Sequence, residues 1–324
     1  MNTLTEPLQS PFDVVVMGEI LLEVATDVPL GHGVPAQLGI SGDALNVAAS
    51  AAAAGARVGL LSVVSDDELG QAIAARIREL GISTELLKFR RGQQGVYLMH
   101  CDPDGRREFS YARHGSVGST LSPDDVDPAV FSDAGAVVAG GIACAISSTS
   151  RAAVLKAAGL SPRFVFDPNF RPRLTSVEDA TAVLAELASQ AFFVTPSFPG
   201  ETSALLGCGS AEEAVEKLRG LGAANVAVTC GADGIQLGSA TDSLWVDAIP
   251  APVVVDQTGA GDAFVGTTTA RLVLGDPLTA AARYGAAAAS LVVGGKGGTG
   301  FIPTFEQTRA HAASRADGEL TWHA

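Results

Sequence analysis

The chain has 324 residues, 47% of them hydrophobic and 17% charged, with a formal net charge of −14. This is enough apolar material for one large domain or two ordinary ones, and it excludes a disordered polypeptide. The acidic balance also argues against a binder of nucleic-acid backbones, which would present a basic face.

The opening "MNTLTEPLQSPFD" lacks the basic start and apolar core of a signal peptide, and residues 1–11 read as a flexible terminus. "DVVVMGEILLEV" reads as a first strand interrupted at Gly18. "SGDALNVAASAAAAG" is a helix with a Ser/Asp start and a stop at Gly55. "RVGLLSVV" is a buried strand, and "DDELGQAIAARIRELG" an amphipathic helix ending at Gly81. Residues 94–113 break the alternation: "QGVYLMHC", the turn "DPDG" and "RREFSYAR" read as a hairpin.

Strand–helix units then resume. They are "AVVAGG" with a helix from Ser147, "RFVFDPN" with one from Ser176, and "AFFVTPS" with one near Glu201. "NVAVTCG" and "GIQLGS" are strands; "APVVVDQTGAGDAFVGTTTARLVLG" is strand, loop, helix, and "LTAAARYGAAAASLVVGG" a further small-residue helix. Residues 317–324 read as a second flexible terminus. The alternation implies an α/β fold with a mostly parallel sheet covered on both faces. The hairpin has no place in it and is assigned to a small β lid, built from segments near 20–40 and 92–114, on one domain spanning 12–316.

Cys101, Cys144, Cys208 and Cys230 lie far apart, with no C-x-x-C pair and no histidine cluster, so reduced thiols are expected. The longest apolar stretch, "ALNVAASAAAAGARVGLL", is broken by Gly55 and Arg57. No membrane partner and a cytoplasmic location are expected.

"VDQTGAGDAFVG" places small residues where an apolar run turns into a helix. Ligands bind at the carboxyl ends of strands in such sheets, and small residues there let backbone N–H groups approach an anion at a helix N-terminus. Asp262 reads either as the N-cap of that helix or as a base beside a cradle for developing negative charge; spacing leaves both open.

"DQTGAGDAFVG" resembles the C-terminal signature of the ribokinase-like (PfkB) sugar kinases, D-T-x-G-A-G-D, with Gln257 at a position that often holds threonine. The N-terminal signature matches as well, in "LGISGDALNVAASAAAAGARVGLLSVVSDDELGQ", with Ser41 where glycine is commoner. The resemblance runs from about Phe12 to Pro303 and implies a ribokinase-like three-layer sandwich. It also implies that Gly259, Ala260 and Gly261 form an anion hole and that Asp262 is the catalytic base. Gly42, Asp43 and Asn46 would bind sugar hydroxyls. "FDPNFRPRL" fits the family's D-x-N-x-R, giving Asn169 and Arg171 beside Asp167. Thr229, Gly231 and Gly234 of "VTCGADGIQL", with Thr258, would border ATP. The family's N-x-x-E, which organises Mg²⁺, is altered: Ser197 replaces the asparagine and Glu201 lies one residue late, leaving Glu201 an indirect contact through water. Related members use a monovalent cation, so K⁺ is a candidate beside ATP and Mg²⁺, near Asp256.

The lid holds the substrate clues. Tyr111 and Arg113 stand at i, i+2 on one strand face, Tyr97 lies on the facing strand, and Arg171 adds a second guanidinium. Guanidinium forks suit a carboxylate, although lid arginines could instead pair with the chain's own carboxylates. Y-x-R joined to D-P-N-x-R resembles 2-keto-3-deoxygluconate kinases, which implies transfer to the terminal hydroxyl of an acid sugar. Some fructokinases carry similar arginines, so a neutral-sugar kinase stands as the alternative. A non-catalytic sugar sensor is less consistent with the retained Asp262, Gly259 and Gly261. "GHGVPA" and "GGKGGTG" fail as dinucleotide and P-loop motifs. A lid with an open edge suggests a homodimer.

Overall fold

The computed structural model describes residues 11–102 and 107–314. Most of the turn "DPDG" and both terminal segments lie outside them. The chain runs β1 (Val14–Met17), β2 (Leu21–Ala25), β3 (Gln37–Ser41), α1 (Asp43–Ala53), β4 (Val58–Leu61), β5 (Val63–Ser65) and α2 (Glu68–Glu79). There follow β6 (Lys88–Arg90), β7 (Val96–Cys101), β8 (Arg107–Ala112), α3 (Pro128–Asp133), β9 (Ala136–Gly140), α4 (Gly141–Ala145) and α5 (Ser148–Leu160). Next come β10 (Phe164–Asp167), α6 (Val177–Ala188), β11 (Ala191–Val194), α7 (Gly200–Leu206) and α8 (Ala211–Gly220). The last are β12 (Asn225–Thr229), β13 (Gly234–Gly238), β14 (Ser243–Asp247), α9 (Ala260–Val273), α10 (Leu278–Val292) and α11 (Phe305–Ala313).

Eight strands form the main sheet in the order β14-β13-β12-β11-β10-β9-β1-β4. Only β13 runs against the rest. The apolar runs explain why both faces are covered. In β1, Val15 and Met17 join one core with Val154 of α5, Leu187 of α6 and Leu218 of α8. Val14 and Val16 join the other with Leu45 of α1, Ile77 of α2 and Phe264 of α9. Successive side chains of a strand point to opposite faces, so the result is a three-layer sandwich.

The lid is a separate four-stranded sheet, β3-β2-β7-β8. β7 and β8 form the expected antiparallel hairpin, with Tyr97 opposite Tyr111. The stretch "DVVVMGEILLEV" is two strands in two sheets, because the chain leaves the main sheet after Met17 and enters the lid at Leu21. The expected strand in "APVVV" does not form. Ser243–Asp247 takes the edge position, Val255 and Asp256 donate their N–H groups to the carbonyl of Val293 instead of to a ladder, and Val253 and Val254 are exposed. Among the described residues no helix is long and apolar enough to cross a membrane.

Candidate functional site

The carboxyl ends of the parallel strands and the inner lid face enclose a cavity of about 690 Å³. α1 and α9 both begin at this edge. They pack closely because Gly266 carries no side chain: a Cβ there would fall 2.2 Å from the Val47 carbonyl oxygen. This close packing brings Asn46 to Asp262. Asn46 Nδ2 donates to Asp262 Oδ2 at 2.8 Å, and Ser41 Oγ donates to Asn46 Oδ1 at 3.3 Å, orienting the amide.

Asp262 is not the N-cap. α9 starts at Ala260, Gly259 caps it with φ 84°, and Asp262 sits in the first turn with its carboxylate turned toward Asn46. Only a residue without Cβ takes that backbone conformation freely. Burial and the neighbouring Asp43 push the Asp262 carboxyl up to about 7, against the Asn46 hydrogen bond and the Arg171 charge. Nearby, burial first, then Glu201 and Asp262, hold Asp167 well above the usual carboxylate range.

Gly259 and Gly261 line the cavity. Ala260 does not, and its N–H donates to the Gln257 carbonyl at 3.3 Å. Gly42, Asp43, Asn46, Tyr97, Tyr111, Arg113, Asn169, Arg171, Thr229 and Thr258 all line the cavity. Gly231 and Gly234 lie outside it, Gly231 in the turn between β12 and β13 and Gly234 at the start of β13. Asn169 takes a left-handed φ of 39°, a conformation asparagine tolerates, and its N–H donates to Asp167 Oδ1 at 3.2 Å.

Glu201 also lines the cavity, but protein donors reach both its oxygens. Oε1 accepts the Phe170 N–H at 2.5 Å, while Oε2 accepts the Ser197 N–H at 2.8 Å and Ser197 Oγ at 2.9 Å. The serine in the asparagine position thus ties the loops after β10 and β11 to one carboxylate. Asp256 is similarly engaged. Oδ1 accepts the Thr258 N–H and hydroxyl at 3.0 and 2.8 Å, and Oδ2 accepts the Gly297 N–H at 2.8 Å. No cluster of three or more His, Cys, Asp or Glu side chains able to hold a metal occurs among the described residues. This donor set fits a Mg²⁺ carried mainly by nucleotide phosphates.

In the lid, Tyr97, Phe109 and Tyr111 form an aromatic cluster with ring centroids 6.0–6.5 Å apart. Arg113 lies 5.7 Å over the Tyr111 ring and makes an ion pair with Glu19. Glu19 and Arg173 line the cavity too, and the sequence reading passes over both. A carboxylate inside the apolar run "VVVMGEILLEV" is the signal that points to Glu19.

The model of the pfkB family of carbohydrate kinases matches residues 12–304. A 2-dehydro-3-deoxygluconokinase of Thermoproteus tenax is 34% identical over 305 residues, covering 92% of this chain and 94% of that one. The structure of a PfkB protein from Polaromonas sp. JS666 is 29% identical, with a TM-score of 0.83 over 92% of this chain and 99% of that one. An E. coli structure in complex with ATP and Mg²⁺ is 23% identical, with a TM-score of 0.84 over 94% of this chain and 99% of that one, a likeness of fold.

Proposed function

The chain belongs to the pfkB family of carbohydrate kinases, and we propose that it transfers the γ-phosphoryl group of ATP to the terminal C6 hydroxyl of 2-keto-3-deoxygluconate. The observation that carries this reading is one cavity that holds a part-buried, proton-accepting carboxylate together with two guanidinium groups and two tyrosines. The named activity of the Thermoproteus tenax relative supports it.

In this reading the sugar's carboxylate faces Arg113 and Arg171, with Tyr97 and Tyr111 alongside. Gly42, Asp43 and Asn46 take sugar hydroxyls. The terminal hydroxyl then lies at Asp262, which accepts its proton as the oxygen attacks the γ-phosphorus. A carboxyl titrating at about 7 suits that task near neutral pH. Backbone donors at Gly259 and Gly261, aided by the helix N-terminus, stabilise the charge developing on the phosphates. Thr229 and Thr258 border the nucleotide, with Gly231 in the turn beside it and Gly234 opening β13. Mg²⁺ on the nucleotide would neutralise phosphate charge, with Glu201 holding the loop around it; K⁺ near Asp256 would be bound through backbone carbonyls.

A second reading, a fructokinase, draws on one observation: Arg113 already has a counter-ion in Glu19. Incubation with ATP and each sugar, followed by ³¹P NMR, tests the main reading. A phosphomonoester split by a CH₂ group from the acid sugar supports it, and phosphorylation of fructose alone favours the second. Pairing of two copies through the lid belongs to the proposal as well, since β3 and β8 are its edge strands and Leu38 on β3 is 75% exposed. Sedimentation velocity at the dimer mass supports it.

A further inference from the structure

Four chain segments connect the lid to the main domain, and all meet at one residue, Glu19, whose carboxylate is buried. Glu19 itself is in the first crossing, between β1 and β2, and is 1% exposed. In the second crossing, Gly42 packs so tightly that a Cβ would fall 2.5 Å from the Glu19 carbonyl oxygen. In the third, Gly95 leaves room for the carboxylate, since a Cβ would lie 3.1 Å from Glu19 Oε1. In the fourth, Ser116 Oγ donates to Glu19 Oε1 at 2.8 Å, and Arg113 pairs with Oε2. Beyond it, Gly118 makes room for the side chain, with a Cβ position 2.6 Å from Glu19 Cγ.

We propose that Glu19 is a positioning residue for substrate selection, holding the Arg113 guanidinium at the cavity wall where the lid joins the main domain. This rests on the acid-sugar reading above. A buried carboxylate is costly to desolvate and is kept only with good partners. Here the partners are one hydroxyl and one guanidinium that faces the substrate cavity. An arginine fixed along one edge loses little further side-chain entropy when its remaining donors meet a carboxylate. Without Glu19, a competing carboxylate is Asp43, already within electrostatic reach of Arg113. The guanidinium would turn toward it and occupy the sugar-hydroxyl end. Loss of orientation therefore outweighs the gain in free positive charge.

The test is a double-mutant cycle on the full chain with Glu19→Gln and Arg113→Ala, reading KM and kcat separately on 2-keto-3-deoxygluconate and on fructose. Glu19→Gln is expected to raise KM for the acid about tenfold with little change in kcat, and to change KM for fructose far less. The double variant is expected to be no worse than Arg113→Ala alone. Additive effects, or equal changes on both sugars, would overturn the proposal. If Glu19→Gln does not fold, Ser116→Ala takes its place, removing one support of the carboxylate; it is expected to raise KM for the acid about threefold, and an unchanged KM would overturn the proposal. Wild-type turnover of the acid tests the substrate reading separately. If fructose is the better substrate, that reading fails, and the cycle is read on fructose, where coupling between the two residues supports the positioning role and additivity rejects it.

Discussion

The two ends of the cavity are built in different ways. At the α9 end the functional atoms are backbone groups and one short carboxylate, set by a glycine at positive φ and by close helix packing. At the lid end they are long side chains, two of them held by other side chains, Arg113 by Glu19 and Tyr97 by Glu23. The first arrangement is rigid because its geometry comes from secondary structure. The second is adjustable through the supporting residues, which suits a family in which the transfer chemistry is shared while the sugar varies.

Breaking the α9 end should have the largest effect. Asp262→Asn keeps the shape and the Asn46 contact but removes the base, and kcat is expected to fall by about 10²–10⁴-fold. Stability should move the other way. The folded-state carboxyl is raised from an ordinary 3.8 to about 7, so the folded state binds the extra proton, and its contribution to stability is lost as pH rises through that window. The Asn variant lacks this loss, so its Tm at pH 8 should equal or exceed that of wild type. Thermal melts beside kinetics check both halves.

Breaking the lid end should leave the chemistry nearly intact. Arg113→Ala is expected to raise KM for the acid sugar about 10–100-fold, with a small change for fructose; equal changes would remove the carboxylate contact. A pH profile sharpens the contrast. Below about 7, kcat/KM should fall about tenfold per pH unit as Asp262 protonates, and Arg113→Ala should keep the same inflection. The smallest effect is on stability. Gly259→Ala forces a side chain into a left-handed position at about 1–2 kcal/mol, with its Cβ 3.1 Å from the Gly298 carbonyl oxygen. A lowered Tm with a partial loss of turnover is the expected result.

The same division governs what could be read from the sequence. Small residues before a helix follow from local backbone rules, so the loop at 259–262, the hairpin that carries Tyr97 and Tyr111 and the mostly parallel sheet were legible. The strand expected in "APVVV" was not to be had from composition. Three valines argue for a strand anywhere, but Ser243–Asp247 occupies the edge and the carbonyl of Val293 captures the backbone. The Ala260 N–H is placed by a similarly local contact, with the Gln257 carbonyl. Glu19 depends on four segments far apart in sequence, so its role becomes visible only when the fold brings them together.

The most direct measurement is ATP-dependent ADP release by the wild-type protein with 2-keto-3-deoxygluconate and fructose side by side. The account predicts a kcat/KM well in favour of the acid. Preference for fructose would contradict it, leaving the transfer end of the cavity as described and removing the carboxylate from the lid end.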